Sequence, residues 1–268
     1  MKSKSIPYFE VFAFTNQMFA GNPAGVCLLE EFLPNDRLQA IATQNDLPET
    51  AFLVERGDHF DLRWMTPAVE VDLCGHATLA AAHVLFQHRG YPRKAVRFQT
   101  QSGELLVEQS GGRLVLDFPS RPAEEGGDRS AVAASLGAEP AKVLKDRDYF
   151  AIFASQAEVA AIKPDLAAVA KLDAQGVVVT APGDDCDFVS RYFAPAAGIP
   201  EDPVTGSTHC TLIPYWAQQL GKRELFARQI SARGGELFCE DRGERVGIGG
   251  EAVTYVEGTI HLWPNESH

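Results

Sequence analysis

Two stretches of this 268-residue sequence carry residue types suited to chemistry at spacings that chemistry can use: Asp72-Leu73-Cys74-Gly75-His76-Ala77-Thr78 and Glu201-Asp202-Pro203-Val204-Thr205-Gly206-Ser207-Thr208. In each, a polar loop reaches a glycine and then an apolar segment of helical period, so each reads as a loop opening onto a helix start. A helix start exposes unpaired backbone N–H groups and the positive end of the helix dipole, which attract carboxylates and developing oxyanions. For either loop alone, Thr78 or Ser207 capping its own helix is a sufficient explanation. Two such starts aimed at one cavity would bind a small acid and stabilise an enolate. A third candidate is Glu49, in Asn45-Asp46-Leu47-Pro48-Glu49-Thr50-Ala51-Phe52, just before an apolar strand. Position alone makes it an exposed turn carboxylate. Facing a site, it would be desolvated and suited to taking and returning a proton.

The elements that must position these residues occur twice. Arg63-Trp64-Met65-Thr66-Pro67 is echoed by Arg191-Tyr192-Phe193-Ala194-Pro195, Gly75 and Gly90 by Gly206 and Gly221, and Gly103-Glu104-Leu105 by Gly235-Glu236-Leu237, all in order. Upstream, Tyr8-Phe9 and Phe12-Ala13 are matched to Tyr149-Phe150 and Phe153-Ala154. An internal duplication places equivalent elements face to face, and that pairing favours the binding role of the two helix starts over simple capping. Each half reads as an opening strand, a helix introduced by Pro34 or Pro164, a β-rich run, a strand ending in the Arg-aromatic block, and a strongly apolar helix. Two short strands then close it. The apolar helices are expected from about Gly75 to His88 and from about Gly206 to Leu220, with Pro214 bending the second or delaying its start. The halves span 1–120 and 141–257, with 121–140 as connector and 258–268 as a closing strand and tail of undecided allegiance. The second half offers Gln175 where the first has Glu49, so the acid is one-sided.

A net charge of −12 argues against nucleic acid and anionic membrane partners, which reward clustered Lys and Arg. Five scattered cysteines without a C-x-x-C spacing indicate reduced thiols and a cytoplasmic protein. Cys74, His76, His209 and Cys210 offer only C-x-H and H-C spacings, which match no common zinc pattern, so no metal is expected. A Cys74/His76 nucleophile pair, the basis of a thiol hydrolase or racemase, lacks a visible third group. The glycine runs at 111–112 and 247–250 read as β-turns, so no dinucleotide cofactor is expected. Arg63 and Arg191 fit either as carboxylate clamps or as solvent-facing strand residues.

Taken together, Gly21-Asn22-Pro23-Ala24-Gly25-Val26, Leu47-Pro48-Glu49-Thr50-Ala51-Phe52 and the two glycine loops resemble the PhzF-like family of phenazine-biosynthesis isomerase homologues, across essentially the whole chain. The resemblance implies an α+β, diaminopimelate epimerase-like fold of two pseudo-symmetric halves. Each is a curved, mostly antiparallel sheet around a central helix, with the site between the halves and a homodimer as assembly. It implies a cofactor-independent isomerase in which Glu49 moves a proton between carbons of a small, often carboxylated substrate. His76 and Asp202 would line the cleft, the amides around Gly75 and around Gly206 and Ser207 would hold substrate oxygens, and Asn22 would lie in a nearby loop. The epimerase cousins use two opposed cysteines, whereas here Cys74 is matched internally by Thr205, so a symmetric two-thiol racemase is disfavoured. The rival is a small-molecule binding protein without turnover on the same fold.

Overall fold

The computed structural model describes residues 4–263. These divide into two compact units. The first holds the chain up to residue 18, residues 23–116 and the chain from 251; the second holds 19–22 and 117–250. No described helix is long and apolar enough to cross a membrane.

The first unit is built from β1 (Lys4–Ala13), β2 (Asn22–Leu29), α1 (Asn35–Asn45), β3 (Glu49–Glu55), β4 (Phe60–Met65), β5 (Glu70–Val71), α2 (Gly75–Gln87), β6 (Ala95–Thr100) and β7 (Gly103–Ser110). β2 and β3 run parallel, as their joining helix α1 requires. β3 and β4 are antiparallel, β4 and β6 parallel, and β6 and β7 antiparallel. The sheet is therefore mixed, with its parallel joints where a helix is inserted. Every residue of β3 except Glu55 is buried, because helices cover both faces. Phe52 and Val54 pack with Leu38, Ile41 and Ala42 of α1. With a side-chain period of two, Ala51 and Leu53 face the other way, toward α2, and so does Glu49. α2 is buried over most of its circumference, and its run Ala80-Ala81-Ala82 keeps that surface small and smooth.

A closing strand, Ala252–Leu262, pairs antiparallel with β1 along its whole length, from Lys4 opposite Leu262 to Ala13 opposite Ala252. The sequence left 258–268 open and placed 252–257 in the second half; the hydrogen bonds assign the whole strand to the first unit, because the strand pairs with β1 throughout. It is also tied to α2. His83 Nε2 and His88 Nε2 lie 2.9 and 2.8 Å from the Thr254 hydroxyl, and His88 Nδ1 lies 3.4 Å from Glu257.

After β8 (Arg113–Pro119) the second unit continues with β9 (Glu124–Glu125), α3 (Arg129–Leu136), β10 (Lys142–Lys145), β11 (Tyr149–Ile152), α4 (Gln156–Ala161), α5 (Leu166–Val169), β12 (Val177–Pro182) and β13 (Phe188–Ala194). β14 (Ile199–Asp202), α6 (Gly206–Leu220), β15 (Glu224–Gln229), β16 (Gly235–Asp241) and β17 (Arg245–Gly250) complete it. The order of joints repeats that of the first unit: β11 parallel to β12, β12 antiparallel to β13, β13 parallel to β15, and β15 antiparallel to β16. By this topology the counterpart of β11 is β2. The match of Tyr8-Phe9 to Tyr149-Phe150 thus joined the wrong strands, because two aromatic-rich apolar runs resemble one another whatever their place in a sheet.

The expected connector 121–140 is not a tether, since the second unit claims all of it and extends over 117–250. α3 lies inside it, capped by Asp128 and packed into the core through Val132 and Leu136. Arg121 is anchored by a proline. Pro214 sits inside α6 without delaying its start at Gly206. Having no N–H, it cannot bond the carbonyl of Cys210 one turn back. That carbonyl accepts from the Arg121 amide instead, at 2.9 Å, and Thr211 Oγ1 donates to the Arg121 carbonyl at 2.7 Å.

Burial, and then the neighbouring His88, push the His83 imidazole down to about 4. The folded state thus holds His83 neutral, whereas the unfolded chain protonates near the ordinary value of about 6.5. His83 weighs on stability only below about 6.5, increasingly as the pH falls toward 4. Replacing His83 with Gln should therefore flatten the loss of stability between pH 6.5 and 4, measured as urea midpoints, relative to the unmodified protein.

Candidate active site

In the first unit, Glu49 opens β3, opposite Ala24 in the parallel ladder with β2, and is 8% exposed. This is not the exposed turn carboxylate that its position alone suggests. The face it shares with Ala51 and Leu53 is the face that meets α2, and there stands His76, second residue of that helix and 4% exposed. His76 Nε2 lies 3.2 Å from Glu49 Oε2, and His76 Nδ1 lies 3.5 Å from Cys74 Sγ. The imidazole thus has the carboxylate against one nitrogen and the thiol against the other. Burial drives His76 toward its neutral form, but Cys74 and Glu49 more than offset this and hold it well above the ordinary histidine range. The Cys74 thiol is pushed up by burial and then by the Glu49 carboxylate. Glu49 supplies the oriented third group that a Cys74/His76 pair lacked in the sequence. The buried, protonated thiol nonetheless argues against Cys74 as the nucleophile.

Neither apolar helix is capped at its start by its N-cap side chain. Cys74 and Thr205 occupy the N-cap positions in extended backbone conformations without side-chain cap bonds. Thr78 turns its hydroxyl back onto the Cys74 carbonyl at 2.5 Å, and Thr208 does the same to the Thr205 carbonyl at 3.0 Å. The capping explanation for Thr78 and Ser207 therefore fails. Gly75 and Gly206 are the first residues of their helices, as the spacing predicts. The Ser207 side chain makes no hydrogen bond among the described residues.

The second unit has its own buried polar cluster. Asn22 Nδ2 donates to Asp202 Oδ1 at 2.9 Å and to the Val204 carbonyl at 2.8 Å. Thr205 Oγ1 donates to the other carboxylate oxygen of Asp202 in a short bond. Gln229 Nε2 donates to the Asp202 carbonyl at 2.8 Å and to Thr205 Oγ1 at 3.1 Å, and its Oε1 accepts from the Thr205 amide at 2.9 Å. Both oxygens of Asp202 are thereby fixed immediately before the start of α6. Asn22 and Asp202 were singled out in the sequence. Thr205 figured there only as the internal counterpart of Cys74, and Gln229 not at all. A glutamine ending a strand carries no signal until the fold brings it to a loop twenty-four residues away in the chain.

The remaining candidates resolve into structural roles. Arg63 grips Glu70 through two nitrogens, each at 2.7 Å, and reaches Asn35 Oδ1 at the start of α1. Arg191 grips Glu201 at 2.8 and 3.0 Å and reaches the Val159 and Ile162 carbonyls at the end of α4. Both are fork-to-fork locks on an adjacent short strand, neither substrate clamps nor solvent-facing residues. His209 is fully buried, its Nδ1 bonded to the Thr205 carbonyl at 2.7 Å, and burial pushes it down to about 4. Cys210 is buried and pushed up to about 12. These two belong to the core of the second unit.

Residues 11–258 match the PhzC-PhzF family of phenazine biosynthesis-like proteins. An uncharacterized isomerase of Pseudomonas aeruginosa is 50% identical over 258 residues, spanning 96% of this chain and 99% of its own. A crystal structure of a PhzF-family phenazine biosynthesis protein from Enterococcus faecalis superposes with a TM-score of 0.94 at 45% identity, covering 97% of this chain and all of that one. A probable proline racemase from Agrobacterium radiobacter shares the fold, with a TM-score of 0.65 at 12% identity, covering 97% and 94%. The α+β, epimerase-like architecture read from the motifs is thus established.

Gln229 is 1% exposed and makes three hydrogen bonds. Truncation strands a buried amide and carbonyl, each unmade bond costing ~1–3 kcal/mol. Gln229→Ala should accordingly destabilise the protein by about 3 kcal/mol in urea unfolding, although Gln229 bears no charge and lies outside every motif.

Proposed function

The chain belongs to the phenazine biosynthesis-like family and is an isomerase, and from that premise we propose that it moves a proton between two carbons of a small carboxylated metabolite, without a cofactor, using Glu49 as the mobile acid/base. The observation that carries this reading is the buried contact between Glu49 and His76, 3.2 Å apart. Its partner keeps the carboxylate in place between taking the proton and returning it.

The charge balance fits the task. Glu49 removes a proton from a carbon that lies between a carbonyl or carboxylate group and a C=C bond; the C–H electron pair spreads through the substrate as a dienolate, whose far carbon can take a proton, and Glu49 becomes neutral. The negative charge leaves Glu49 for the substrate, while the positively charged His76 stays beside both. The uncapped amides at the start of α2 are donors for the enolate oxygen. Return of the proton to a different carbon completes the shift and regenerates the carboxylate. A single carboxylate serves one face of the substrate, which suits relocation of a double bond better than inversion of a stereocentre.

In the second unit, the proposal assigns Asp202 to orienting the substrate and the moving proton, and Asn22, Gly206 and Ser207 to substrate binding. Support comes from the sequence duplication, the family resemblance and the fixed carboxylate of Asp202.

Glu49→Gln keeps the shape of the side chain and removes its capacity to take and return a proton. General acid–base catalysis contributes roughly 10²–10⁴-fold, so the variant, while still folded, should exchange substrate protons with deuterated solvent at least about 100-fold more slowly. Undiminished deuterium incorporation into a bound metabolite would overturn the assignment.

A further inference from the structure

Three donors of different chemistry meet in the first unit: a carboxylate oxygen of Glu49, an imidazole nitrogen of His76 and the thiol sulfur of Cys74. One atom from each lies within 4.8 Å of the other two, and all three residues are buried. The sequence concealed this set, because Cys74 and His76 alone have no zinc-like spacing and Glu49 arrives from a strand twenty-five residues earlier. We propose that these three side chains form a binding site for a thiophilic divalent cation, Zn2+ in particular, and that its occupation and proton transfer by Glu49 exclude one another.

The donor set selects the ion. Sulfur with imidazole and one carboxylate suits Zn2+ and its borderline-soft neighbours, whereas Mg2+ and Ca2+ require shells of oxygen. Charge selects it as well. A thiolate and a carboxylate neutralise a divalent cation, so the occupied cluster carries no net charge into a buried site. Tetrahedral zinc sets its ligand atoms ~3.3–3.8 Å apart. The oxygen and nitrogen of Glu49 and His76 are already 3.2 Å apart. Sulfur lies 3.5 Å from the other ring nitrogen, so its side chain must rotate toward Nε2 for the two to share one ion. Glu49 stands at a strand end and Cys74 and His76 at a helix start, so the ligands sit on rigid elements while the fourth position stays open to water or substrate. An ion bound here occupies the lone pair that Glu49 needs for the proton, so it inhibits rather than assists. That inhibitory consequence rests on the function proposed above; the binding itself does not.

The test uses the purified full chain, free of any affinity tag, with Zn2+ and Co2+ as probes. Calorimetry should find one equivalent of Zn2+ bound with sub-micromolar affinity and undisturbed by excess Mg2+ or Ca2+. Co2+ should bind with a near-ultraviolet thiolate-to-metal charge-transfer band. Cys74→Ser should abolish that band and weaken Zn2+ binding by more than the ~100-fold that follows loss of a mere supporting residue. Cys186→Ser, which alters a partly exposed thiol elsewhere, should change neither. If Cys74→Ser does not fold, Glu49→Gln carries the test through the same loss of affinity. Absence of stoichiometric binding, a band that survives Cys74→Ser, or unchanged affinity in a folded Glu49→Gln protein overturns the site. Zn2+ binding in a protein that never exchanges substrate protons would leave the metal site standing and remove the isomerase mechanism. Proton exchange that continues with the site filled would overturn the claim of exclusion.

Discussion

A carboxylate held out of water is costly unless something nearby wants its charge, and the first unit is organised around meeting that condition for Glu49. The imidazole that meets it comes from a different element, so strand and helix must be fixed to within a fraction of an ångström. β3 is locked between α1 on one face and α2 on the other. α2 in turn is buried almost all round and tied to the closing strand by two histidines on one threonine hydroxyl. Together these features keep two side chains in contact.

Duplication has preserved the scaffold more faithfully than the chemistry. Both units keep the same succession of parallel and antiparallel joints, and both keep an arginine forked onto a glutamate that pins a short strand just before the apolar helix. The side chains gathered at the two helix starts have diverged. One start presents a thiol, an imidazole and a carboxylate; the other fixes an aspartate by an asparagine, a threonine and a glutamine. Symmetric frames with unequal contents suit a reaction whose proton comes and goes by a single group.

Much of this was legible in the sequence because local physics determined it. The apolar helices begin at Gly75 and Gly206 as predicted, since glycine loops and helical periodicity act within a few residues. Glu49, His76, Asn22 and Asp202 were marked by their motifs. What escaped notice depends on distance along the chain. Gln229 acquires its role by meeting a loop, and Arg121 by meeting a carbonyl that Pro214 leaves vacant. The partner of the closing strand was undecidable, because an alternating strand fits any open edge. The mismatch of Tyr8 with Tyr149 shows the complementary failure, in which composition alone joined strands of different topological rank.

The pairing of β1 with the closing strand bears on how the protein comes into being. During synthesis the first unit has both members of the Glu49–His76 pair by residue 87, yet the strand that completes its sheet emerges only after the whole of 117–250. The second unit, contiguous apart from four residues, is free to consolidate first. The sheet that carries Glu49 therefore keeps an open edge at β1 until residues 252–262 have been made, and the first unit closes after the second has been synthesised.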